Sequence, residues 1–78
     1  MTTETKLRVV LEDYHNIMDM VESKFRLDKE KVVERNDLST KEMYSLLAEI
    51  RMEEIERETA EQNKAISQII SIFKETQP

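Results

Sequence analysis

A chain of 78 residues with no glycine, no cysteine and a single proline, Pro78, has few ways to break a helix. It also has no disulfide or thiolate zinc site to staple a fold. Charged residues make up 37% and hydrophobic residues 38%, a mixture expected of a nearly all-helical chain. The formal charge of −5 is spread over both halves, with seven basic and nine acidic residues up to position 38 and five and eight beyond it. That balance repels a phosphate backbone and disfavours nucleic acid as a partner.

No run of about 18 apolar residues is present, so a transmembrane helix is not expected. The N-terminus lacks the apolar segment of a signal peptide, which makes a cytoplasmic location the expectation. So charged a composition borders on disorder, but the 18 Leu, Ile and Val residues recur at helical spacing and argue for a fold.

The first predicted helix covers about residues 3–35. Leu7, Leu11, Tyr14, Met18, Val21, Phe25, Asp28 and Val32 alternate steps of four and three, the 3.5-residue period of a packing seam. Continued further, the series meets Arg35, Ser39, Glu42, Leu46, Glu49 and Glu53, and the apolar seam is lost.

The stretch between, ERNDLSTKEM, supplies the reason. Ser39 and Glu42 have the spacing of a capping box, and Leu38 and Met43 that of a hydrophobic staple. With no glycine to end the first helix, Asn36 is the best residue for a left-handed position. A turn is expected at about 36–39.

The second predicted helix covers about 40–75, with a seam of Ala48, Met52, Ile55, Thr59, Gln62, Ile66, Ile69 and Phe73. Folding the chain back pairs Leu7, Tyr14, Val21 and Asp28 with Ile69, Gln62, Ile55 and Ala48, each pair of numbers totalling 76. Leu11, Met18 and Phe25 pair with Ile66, Thr59 and Met52, each totalling 77. Both sets centre on residue 38, where the capping signals lie. The expected fold is therefore all-α: one domain over residues 1–78, an antiparallel αα-hairpin. Within it, Tyr14, Thr59 and Gln62 are expected to form a polar layer that fixes the register.

Two helices cover only one stripe each. Val10 and Ile17 flank the first seam, Met43, Leu46, Leu47 and Ile50 form a second patch, and Ile70 and Ile72 flank the C-terminal end. Burying such a side chain contributes about 1.5–3 kcal/mol. These eight residues are the expected interface of a homodimeric four-helix bundle, a helical partner protein being the other candidate to cover them.

Chemistry offers little. Glu12 and His15 form Glu-x-x-His, the helix motif of carboxylate metal sites. Both lie off the seam, however, and His15 is the only histidine, so no nucleophile–histidine or His-rich metal site fits within one chain. The glutamates from Glu49 to Glu61 read as a solvated face, or else as the surface of a small acidic inhibitor of a basic, nucleic-acid-binding protein. Arg51 and Arg57 interrupt that run. Lys24, Arg26, Lys29, Lys31 and Arg35 gather near the turn, but Asp28, Glu30 and Glu34 are interspersed, which disfavours RNA. Glu49 is a possible partner for Lys29 across the hairpin. The C-terminal ISQIISIFKE has too few basic residues for a membrane-surface helix. The expectation is a non-enzymatic protein–protein interaction module, a scaffold, adaptor or regulatory subunit, with no cofactor, metal or small-molecule substrate.

Overall fold

The computed structural model describes residues 2–76. They form two long helices, α1 (Thr3–Val33) and α2 (Thr40–Thr76), folded back as an αα-hairpin with no strand among the described residues. Thr2 caps α1: its extended backbone (φ −73°, ψ 159°) lets Thr2 Oγ1 accept from the Thr5 N–H at 3.1 Å. That satisfies one of the donors that every helix start leaves orphaned.

The turn occupies residues 34–39. Ser39 and Glu42 form the expected capping box, the Glu42 N–H donating to Ser39 Oγ at 3.1 Å and the Ser39 N–H to Glu42 Oε1 at 3.4 Å. Leu38 and Met43 are both half-buried, consistent with the staple. The end of α1 departs from the expectation. The helix stops at Val33, and no described residue, Asn36 included, has positive φ. The chain leaves instead through right-handed Glu34 (φ −74°, ψ −14°), with the Arg35 N–H bonded to the Val32 carbonyl at 3.2 Å. The Arg35 guanidinium then grips the Asp37 carboxylate with two bonds, 3.0 and 2.7 Å, and braces the turn without a left-handed residue.

The inward residues of α1 are Thr3, Leu7, Val10, Tyr14, Ile17, Val21, Phe25, Asp28 and Val32, with Met18 half-buried beside them. They recur every 3.6 residues, the period of an α-helix rather than the 3.5 of a supercoiled seam. Val10 and Ile17 therefore enter the contact, and Leu11 drifts out of it to 48% exposure. The inward residues of α2 are Met43, Leu47, Ile50, Glu54, Glu58, Glu61, Ala65, Ile69 and Ile72. This series is the expected α2 seam turned by one residue, about 100° around the helix.

The capping box of Ser39 and Glu42 starts α2, and a helix without glycine or internal proline carries the phase set there to its far end. Three glutamates come inward as a result. Thr59 and Gln62 go outward and are exposed, so the polar layer expected from Tyr14, Thr59 and Gln62 does not form inside the hairpin.

The hairpin is a single layer, 62 × 15 × 8 Å, with a radius of gyration of 18.0 Å. A compact chain of this length has a radius of about 11–12 Å. Among the described residues only Val21, Phe25 and Ile72 are buried apolar ones, and no side chain is fully enclosed. Phe25 is the centre of this thin core, with the Lys24 ammonium 4.6 Å from its ring centroid. Phe25→Ala is expected to cost about 3–5 kcal/mol, whereas Met20→Ala, at an exposed position, should stay within about 0.5 kcal/mol. Urea denaturation of both variants at one protein concentration checks this.

Candidate association surface

The charged centre of the hairpin follows from the rotation of α2. Glu54 is only 3% exposed and faces α1, where Lys29 Nζ donates to its Oε1 at 2.9 Å. Arg51, one turn earlier on α2, donates to the same oxygen through Nη1. The Lys29 ammonium, and after it Arg51, holds the Glu54 carboxyl below the usual glutamate range, against the opposing effect of burial. The other two inward glutamates also have arginine partners on α2: Glu58 lies 3.6 Å from Arg51, and Glu61 lies 3.6 Å from Arg57. The expected Glu49–Lys29 pairing is replaced by Glu54–Lys29, because Glu49 points outward. At the open end, Lys6 Nζ meets Glu75 Oε2 at 3.0 Å and ties the helices together.

The grooves beside this contact are open clefts. One of about 240 Å³ is lined by Val10, Tyr14, Ile17, Glu61, Lys64 and Ala65, among others, and another of about 500 Å³ by Glu22, Arg26, Lys29, Arg51, Glu54 and Glu58. Glu12 and His15 are both exposed on α1. Among the described residues, no three His, Asp or Glu side chains converge as metal ligands would.

Of the eight residues expected at an intermolecular interface, Ile72 is buried and Val10, Ile17, Met43, Leu46, Leu47 and Ile50 are half-buried within the single hairpin. They supply much of the contact between α1 and α2, so this patch is not the surface left without a partner. Only Ile70 is exposed, at 49%.

The unpartnered surface is made largely of residues first read as the seam. Met52, Ile55, Ile66, Ile70 and Phe73 are between 46% and 64% exposed. At 100° per residue these five side chains fall within a sector about 60° wide, turned about 120° from the inward face of α2. Ala48 and Thr59, both exposed, lie in the same sector. Leu11 borders it from α1. The stripe therefore runs along most of α2 in one direction, unlike the scattered Val9, Met20 and Leu27 of α1.

The total accessible surface is 6251 Å². A compact monomer of 9.3 kDa exposes about 5,000 Å². The excess of about 1,300 Å² is larger than the ~800 Å² that each partner contributes to a standard protein interface.

The Glu54 cluster gives the hairpin a pH dependence of definite sign. The folded pKa of Glu54 lies below the unfolded value of about 4.3, so its stabilisation is fully present above that value and is lost as pH falls through the folded one. Glu54→Gln should lower stability at neutral pH by about 1–3 kcal/mol. The gap between wild type and variant should close as the pH is taken below about 4. Thermal unfolding followed by circular dichroism across that range checks both points.

No family model, curated protein or solved structure matches the chain.

Proposed function

We propose that this chain is a non-enzymatic protein–protein interaction module, a small helical-hairpin scaffold, adaptor or regulatory subunit that works through its helix faces. The observation that carries this reading is the stripe of Met52, Ile55, Ile66, Ile70 and Phe73, held exposed on a helix whose opposite side already has a partner. A chain of 78 residues with three buried apolar side chains among those described lacks the core that chains of this size need to stand alone. Covering the stripe supplies the missing apolar contact.

Self-association is the form proposed, two hairpins closing into a four-helix bundle by helix-on-helix packing. Among the described residues no helix is long and apolar enough to cross a membrane. The cytoplasm is the compartment proposed. An acidic-decoy role is less well supported, because Glu54, Glu58 and Glu61 spend their charge on arginine or lysine partners within the chain.

The test is the state of association. Sedimentation equilibrium over a dilution series should show a species of twice the 9.3 kDa chain mass. Ile66→Asp, which places a charge in the middle of the stripe, should shift it to the chain mass with helicity retained at high concentration. A wild-type chain that remains monomeric at concentrations of tens of micromolar, with full helicity, overturns self-association.

A further inference from the structure

We infer that a second copy of the chain docks antiparallel along α2, about a local two-fold axis passing between Gln62 and Asn63. This rests on the association reading above and goes further by fixing the partner, the helix and the register. A two-fold contact is isologous: whatever residue i touches on its partner, the equivalent pair must form in reverse. The stripe meets that requirement. Met52 and Phe73, Ile55 and Ile70, and Thr59 and Ile66 each lie at equal distances on either side of the midpoint between Gln62 and Asn63.

Antiparallel docking about this midpoint sets Met52 on Phe73 of the second copy and Ile55 on its Ile70, each pairing occurring twice. Gln62 and Asn63, both exposed, meet their own copies at the centre, where amide groups donate and accept alike. The polar residues that sit uselessly on a single hairpin thereby gain partners, and an offset register would bury them against isoleucine. A different protein has no need of an interface with this internal symmetry.

The rim charges agree. Glu49 and Lys74 are both exposed and lie on the same edge of the stripe. Their numbers place Glu49 of one copy within about 3 Å, along the axis, of Lys74 of the other, a spacing bridged by two long side chains. The same edge carries Glu56 opposite Ser67, so no like charges meet there.

The chain contains no cysteine, so each introduced thiol is unique. Asn63→Cys, at an exposed position beside the axis, should cross-link to a covalent dimer with a short bis-maleimide. Glu49→Cys alone should give none, since its two copies lie about 40 Å apart at 1.5 Å per residue. Mixing Glu49→Cys chains with Lys74→Cys chains should restore cross-linking. Sedimentation equilibrium of the uncross-linked wild type is run alongside. Efficient Asn63→Cys cross-linking with Glu49→Cys inert supports the arrangement. A wild type that sediments as a dimer while Asn63→Cys stays uncross-linked overturns this arrangement and leaves the association reading standing. A monomeric wild type overturns both.

Discussion

The phase at which α2 leaves the turn is the constraint on which the rest of this structure depends. Ser39 and Glu42 satisfy each other's backbone donors, and Leu38 and Met43 on either side of them are both half-buried. A helix without glycine or internal proline has no hinge to correct that phase further along. What Met43 does at the first turn is therefore imposed on Ile72 eight turns later. The cost of that rigidity is three inward glutamates, and the arginines and lysine around them are the compensation.

That compensation gives the hairpin its character. A buried Glu54 held by Lys29 and Arg51 is a weak source of net stability, because desolvation consumes much of the attraction. It is a stronger source of specificity. Sliding one helix by a turn separates Glu54 from Lys29 and leaves the carboxylate without its partner from α1. The apolar part of the core is confined to a short stretch of α1 and the far end of α2. A single layer of two helices has nowhere else to put hydrophobic residues, and the second apolar side of α2 is left facing water.

The same tension links fold to function. The side of α2 that could have made an apolar seam with α1 is turned outward, where its residues repeat symmetrically about Gln62 and Asn63. Inside one hairpin Thr59 and Gln62 would be a flaw in the seam. On the outward face they are exposed to water, which satisfies their polar groups. In the association proposed above, a chain with little core of its own divides its hydrophobic residues between folding and the contact with a second copy.

By itself the sequence determined the helices, the turn and the antiparallel hairpin, because those depend on local chemistry: absent breakers, a capping box, a staple and apolar periodicity. It also placed most of the α1 contact, where only one apolar stripe is available and Val21 and Phe25 lie at its centre. It did not determine which side of α2 faces inward. Periodicity selects the most continuous apolar stripe, and α2 carries two stripes about 100° apart. Hydropathy counts Glu54, Glu58 and Glu61 as surface residues, since their partners are not adjacent in a pattern of apolar spacing. Lys29 lies 25 residues from Glu54 and becomes its neighbour only when the chain folds back. The missing left-handed residue at Asn36 has the same origin, since the Arg35–Asp37 pair holds the turn by a side-chain contact that propensity does not register. The tertiary structure decided the rotation, because only in the folded hairpin does Lys29 reach Glu54 and compensate a carboxylate turned inward.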